Sequence, residues 1–138
     1  MIKNHKTIGT LFLQIALGIL FIVSGIWTLQ GGSGDEIAVA VKSVFSSDVS
    51  KIVCIVFGVI EIIAGIFLLI RLFIPLNTNL DSVLMIIIMI CWIIAIIMID
   101  FMGNNSIFNN LNSGFLSFMN KFAYHLLVLG SLIKITSV

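Results

Sequence analysis

Charged residues are scarce in this sequence, and their scarcity excludes an ordinary soluble protein. Charged side chains make up 9% of the 138 residues, whereas a soluble domain carries roughly 25%. Seven basic and six acidic side chains cannot cover a globule of this length with a hydrated surface. Much of the surface must therefore face lipid. The net charge of +1, with no basic run, argues against a nucleic-acid partner.

Cysteine and histidine are also scarce, which argues against a metal or haem site. Cys54 and Cys91 lie far apart inside apolar segments, with neither a C-x-x-C pair nor a metal-ligand spacing. We interpret them as small buried apolar residues that form no disulfide. His5 lies in the N-terminal tail, so it cannot join His125 as the second axial ligand of a b-type haem.

What the sequence does contain is four long apolar segments. They cover about residues 7–29, 52–73, 82–99 and 115–133, and a helix needs around 20 residues to cross a bilayer. The first segment is too long for a secretory signal and lacks a cleavage pattern, so we expect it to be retained. The fourth could instead begin at Phe122 and reach the C-terminus. The sequence predicts an all-α, four-helix transmembrane bundle, with residues 1–138 as a single integral membrane domain.

The connection between the first two segments contains one further element. Asp35 follows a glycine-rich stretch and is a candidate N-cap. The following residues carry apolar side chains at helical spacing, namely Ile37, Val41, Val44 and Phe45. We predict a short amphipathic helix in this first outer loop, lying flat on the membrane surface.

The distribution of basic residues predicts the orientation in the membrane. With the N-terminus inside, the cytoplasmic side holds Lys3, Lys6, Arg71 and Lys134, and the outer side holds Lys42, Lys51 and Lys121. The pair that precedes the first helix decides the orientation. We therefore expect both termini to face the cytoplasm.

Glu61 lies near the middle of the second apolar segment, and a charged residue at that depth usually faces the bundle interior. Gly58 and Gly65 share its helix face, and Gly18 and Gly25 share one face of the first helix. Glycines let two helix backbones approach closely. We therefore predict that the two glycine faces pack together.

Several polar side chains are expected at the depth of Glu61. Gln14 is expected within side-chain reach, and Tyr124 and His125 reach the same depth if the fourth helix begins at its earlier start. We expect Glu61 to be buried, neutral at pH 7 and hydrogen-bonded to one of these residues or to Ser24. Two interpretations remain open, a packing role and a titrating or ligand-contacting role. His125 is interpreted as a packing or interfacial residue.

Two stretches resemble the DoxX-like family of small bacterial membrane proteins. Residues 15–25, IALGILFIVSG, resemble the first helix of that family, and residues 58–69, GVIEIIAGIFLL, resemble the second. Arg71 falls where such proteins often carry a basic residue. Gln14 stands where they often carry an arginine, and Thr28 stands near the position of a lysine. The loss of the arginine favours a neutral, packing Glu61.

The resemblance implies a four-helix protein of the bacterial cytoplasmic (inner) membrane. It further implies an accessory subunit of a membrane oxidoreductase that passes electrons to quinone, with a membrane or envelope redox partner. Quinone contact and a homo-oligomer are both compatible with that role.

Two other functions fit the residues. One is a small proton-coupled transporter in which Glu61 titrates, and the other is a structural or assembly protein without activity. The sequence contains no nucleophile–base pair, metal cluster or nucleotide loop, so we expect no catalytic activity of its own.

Overall fold

The computed structural model describes residues 7–31, 36–102 and 114–137, and no strand occurs in these three ranges. The helices are α1 (Ile8–Gln30), α2 (Glu36–Val44), α3 (Ser47–Phe73), α4 (Thr78–Ile96) with a π-helical continuation (Ile97–Met102, the π segment), and α5 (Phe115–Thr136). The predicted all-α class is confirmed, including the short helix between the first two apolar segments. The last helix begins at the earlier of its two predicted starts.

Four helices are long and apolar enough to cross a membrane: α1, α3, α4 together with its π segment, and α5. Large apolar side chains are exposed along them, including Phe12 (70%), Ile52 (64%) and Leu127 (67%). Exposing so much apolar surface to water is costly, whereas a bilayer solvates it. The chain is therefore a multi-pass integral membrane protein.

The helix ends follow from local backbone chemistry. At the start of α1, the Thr7 hydroxyl accepts a hydrogen bond from the Thr10 N–H. At its end, Gly31 adopts the left-handed conformation (φ 61°) and its N–H bonds the Thr28 carbonyl, which satisfies a carbonyl that the helix leaves open. The side chain of Asn77 accepts from the Asn79 N–H and caps α4.

Different side-chain contacts hold the helices together at the two ends of the bundle. The terminal end contains the start of α1, the α3–α4 turn and the end of α5. The loop end contains α2, the π segment and the start of α5. At the terminal end, Arg71 Nε donates to Asp81 Oδ1 (2.5 Å) and Arg71 Nη1 donates to the Ile135 carbonyl (3.4 Å). One arginine thus links α3, α4 and α5.

α1 and α3 pack antiparallel in direct backbone contact. A Cβ atom added at Gly25 would lie 2.7 Å from the Gly58 carbonyl oxygen, and one added at Gly65 would lie 2.6 Å from the Gly18 carbonyl oxygen. The two contacts lie seven residues apart on each helix, or about two turns. The four glycines therefore create a seam with close backbone contact at two heights, between which polar side chains of both helices meet.

The apolar side chains of α2 contact other helices of the protein, whereas the sequence predicted contact with the membrane surface. Ile37, Ala38 and Val41 are 5%, 0% and 0% exposed, and α2 packs against α3 and the π segment. Ile37 and Val41 are thus buried in protein because they fill a space between the start of α3 and the π segment, whereas Phe45, on the same predicted face, is 38% exposed. Asp35, the candidate cap, lies outside the described residues.

Gly25→Ala is expected to lower the free energy of unfolding by about 1–3 kcal/mol, because its Cβ would overlap backbone atoms that cannot move aside. Gly130→Ala is the matched control, since a Cβ there meets nothing within 4 Å and alanine favours the helix. Denaturation by sodium dodecyl sulfate in mixed micelles measures both variants. Equal stabilities would show that the seam is not close-packed.

Candidate ligand site at the loop end

Ionisable side chains cluster around His125, two of them buried and two half-exposed, and we call these four residues the charge cluster. His125 Nδ1 lies 2.8 Å from Asp100 Oδ2, and His125 Nε2 lies 3.0 Å from Glu36 Oε2. Lys121 Nζ lies 3.1 Å from the other oxygen of Glu36. His125 and Asp100 are each 2% exposed. The cluster joins α5, the π segment and α2, which are distant in sequence.

Helix direction explains why these side chains meet. Side chains of a helix tilt toward its N-terminus. α5 starts at the loop end, so His125 tilts toward that end, whereas Asp100 follows α4 in the opposite direction and tilts toward His125. The π segment widens the helix at Asp100, a deviation that is frequent at functional sites.

Within the charge cluster, the pKa of Glu36 is shifted. The hydrogen bond from His125, and after it the hydrogen bond and charge of Lys121, lower the pKa of Glu36 from 4.5 to about 2, while burial opposes the shift. Between His125 and Asp100, either an imidazolium donates to a carboxylate or a neutral imidazole accepts from a carboxylic acid. Both arrangements hold one proton between these two side chains.

A cavity of about 290 Å³ adjoins the charge cluster, and we call it the loop-end cavity. Its polar and aromatic lining residues are Ser24, Trp27, Glu36, Trp92, Tyr124 and His125. The indole N–H of Trp92 donates to the His125 carbonyl at 3.1 Å, and the two rings meet edge to face with centroids 5.9 Å apart. The cavity therefore combines flat aromatic walls with a few hydrogen-bonding groups, as ligand sites do.

The charge cluster is not arranged as a metal site. Carboxylate oxygens already occupy both ring nitrogens of His125. Within the described ranges, no group of three or more His, Cys, Asp or Glu side chains could hold a metal ion. Cys54 and Cys91 are free thiols, as the sequence predicted.

Glu61 is buried between α1 and α3, at 6% exposure. It accepts hydrogen bonds from the Ser24 hydroxyl (3.1 Å) and from the Thr28 hydroxyl (2.9 Å). Ser24 was among the expected partners. Thr28 was not, although it shares the packing face of α1.

The expected contact between Gln14 and Glu61 is corrected. Gln14 Nε2 donates to the Leu68 carbonyl at 2.8 Å, seven residues beyond Glu61 along α3. The reason is the pairing of the helices, because Gly18 opposes Gly65. Glu61 therefore lies level with a later part of α1 than the sequence suggested.

Tyr124 and His125 are also placed differently from the expectation. Both line the loop-end cavity, and the hydrogen-bond partners of the His125 ring are Asp100 and Glu36 instead of Glu61. Glu36 and Asp100 are site residues that were not predicted from the sequence. Two features could have indicated them: Asp100 directly follows an apolar segment without charge, and Glu36 is the first residue of the short helix α2.

Comparison with known proteins adds no family. No protein-family model matches the chain, and neither the curated proteins nor the solved structures contain a significant match.

The lowered pKa of Glu36 predicts a pH-dependent stability. The carboxylate stabilises the folded state above pH about 4.5, and this contribution is lost as the pH falls from about 4.5 toward 2. Wild type is expected to be more stable than Glu36→Gln at pH 6, and the difference is expected to shrink at pH 3. Detergent unfolding of both proteins at the two pH values measures it. A difference that stays constant with pH would contradict the shift.

Glu61→Gln is expected to fold nearly as well as wild type, because the amide can accept from Ser24 and donate to Thr28. The Thr28 hydroxyl can then donate to the Ser24 carbonyl, 3.0 Å away. Glu61→Ala is expected to lose about 1–2 kcal/mol, in line with interhelical hydrogen bonds in membranes. Unfolding in mixed micelles compares the two variants, and equal losses would contradict the hydrogen-bonding role.

Proposed function

We propose that this chain is a DoxX-like accessory subunit of a membrane redox complex and that it binds a quinone-type head group in the loop-end cavity. One observation carries the proposal. His125, held between Asp100 and Glu36, forms part of the wall of a cavity of about 290 Å³, close to the lower size limit of small-molecule sites.

The chemistry of the lining suits a quinone ring. A quinone is flat and carries two carbonyl acceptors, so it needs aromatic walls and hydrogen-bond donors. Trp27, Trp92 and Tyr124 supply the walls, and the Tyr124 hydroxyl supplies a donor beside His125. These residues support binding of a planar ring that accepts hydrogen bonds.

The proton shared by His125 and Asp100 supports a redox-associated role. Reduction of a quinone to a quinol consumes two electrons and two protons. The charge cluster delivers one proton at the cavity wall and, after reprotonation from solvent through the half-exposed Glu36 and Lys121, delivers the second, while both electrons come from the redox partner. Because the chain supplies protons and the redox partner supplies electrons, we assign the chain an accessory role and no catalysis of its own.

The geometry favours this function over proton-coupled transport through Glu61. The void beside Glu61 is lined almost wholly by apolar side chains, so it offers few polar partners to water or to a moving proton. Both described hydrogen bonds of Glu61 come from α1, as expected for a residue that fixes helix packing.

We further propose that the protein lies in a bacterial cytoplasmic membrane with both termini in the cytoplasm. The basic residues before α1 support this orientation, which would place the loop-end cavity on the outer side. A reporter that is active only outside the cytoplasm, fused after Val138, should be inactive, and activity would reverse the orientation.

The quinone proposal is tested with the two tryptophans of the chain, because both line the loop-end cavity. A tail-free benzoquinone titrated into the detergent-purified protein is expected to quench their fluorescence saturably. His125→Phe removes both ring nitrogens and is expected to weaken binding at least tenfold. Tyr124→Phe removes one hydroxyl and is expected to have a smaller effect.

Ser131→Ala is the matched control. Ser131 lies on the same helix and is buried, and its hydroxyl bonds the Leu127 carbonyl. The control is expected to bind the benzoquinone as wild type does. Linear, non-saturable quenching in wild type would defeat the proposal and favour a structural or assembly role.

A further inference from the structure

α3 and α4 are consecutive helices that do not pack against each other along their length. α1 packs closely with α3, and α5 packs against both α4 and α1, whereas α3 and α4 approach closely at few points. At the terminal end, the Arg71–Asp81 ion pair holds them together. At the loop end, α2 lies between α3 and the π segment. An open cleft remains between these two closures.

The cleft is a cavity of about 250 Å³ whose lining side chains are all apolar. Ile60, Ile63 and Phe67 of α3 face Leu84 and Ile87 of α4. Ile63 is 60% exposed and Ile87 is 49% exposed, so the cleft opens sideways toward the bilayer. Water has no polar partner there, whereas a hydrocarbon chain does not need one.

The cleft and the loop-end cavity are neighbouring voids with a third, much smaller void between them. The void of about 20 Å³ between them, which we call the neck, shares Ile60, Ala64 and Ile88 with the cleft. It shares Phe21, Ile37 and Trp92 with the loop-end cavity. Glu61 borders the neck, but its carboxylate oxygens bond hydroxyls of α1. The path from one cavity to the other is therefore almost entirely apolar.

Polarity is thus sharply divided along this path. The hydrogen-bonding groups Ser24, Glu36, Tyr124 and His125 all line one end, and only apolar side chains line the other. A small water-soluble ligand would use the first end alone. A molecule with a compact polar head and a long hydrocarbon tail matches both ends.

We infer that the ligand of the loop-end cavity is a long-tailed lipid, whose tail passes the neck, lies in the α3–α4 cleft and enters sideways from the bilayer. This inference rests on the proposed function for its head group, and it adds the tail, the tail's location and the access route.

The test compares a tail-free benzoquinone with the same ring carrying a ten-carbon chain, both titrated into the full chain in nanodiscs. Ala64→Phe fills the neck, and Ile66→Phe adds bulk to α3 on its exposed face as the matched control. In Ala64→Phe, the affinity ratio of tailed to tail-free ligand is expected to fall at least tenfold relative to wild type. In Ile66→Phe, the ratio is expected to stay unchanged.

A second measurement needs no variant, so a misfolded Ala64→Phe does not decide the outcome. A tailed benzoquinone with a diazirine at the chain terminus is expected to crosslink wild-type protein within residues 60–67 and 84–88. Competition by the unlabelled tailed ligand should remove that labelling.

The possible failures are distinguishable. If the tail-free ring does not bind wild type saturably, the proposed function fails. If the ring binds but Ala64→Phe leaves the ratio unchanged, or labelling falls on other lipid-facing positions, the proposed function stands and the tail inference is overturned.

Discussion

The direct backbone contact between α1 and α3 is the constraint on which the remaining architecture depends. Glycine at four positions lets the two backbones touch at two heights, so the two helices behave as one thick unit. With one face of α3 committed to α1, α4 pairs with α5 instead. The bundle is therefore two helix pairs, and the space between α3 and α4 is a consequence of that pairing.

The charge cluster supplies the second connection between the pairs. His125 reaches Asp100 across 25 residues and Glu36 across 89 residues of sequence, and so links α5, the π segment and α2. An unpaired charge at this depth would be costly, so each member depends on the others. The cluster fixes α2 over the loop end and forms part of the wall of the loop-end cavity.

These two features together explain why the proposed ligand site has a polar and an apolar part. The charge cluster determines where hydrogen-bonding groups occur, and the helix pairing determines where the apolar cleft opens. Glu61 belongs to the seam between α1 and α3, where Ser24 and Thr28 hold its carboxylate. Glu61, the one charged residue in the middle of an apolar segment, thus contributes to helix packing. His125, which stands out less in the sequence, lines the loop-end cavity.

The sequence by itself determined the number of membrane-crossing helices, the short helix before α3, the two glycine faces and the burial of Glu61. Hydropathy and helical periodicity are local properties, so they can be read residue by residue. Only the tertiary structure decided which residues meet at a given depth. α1 and α3 pack one to two turns away from the expected register, so Gln14 contacts Leu68 where Glu61 was expected. The opposite directions of α4 and α5 bring Asp100 to His125, and the position of α2 brings Glu36 there. Such contacts depend on the relative height and tilt of separate helices, which packing sets and no local pattern records.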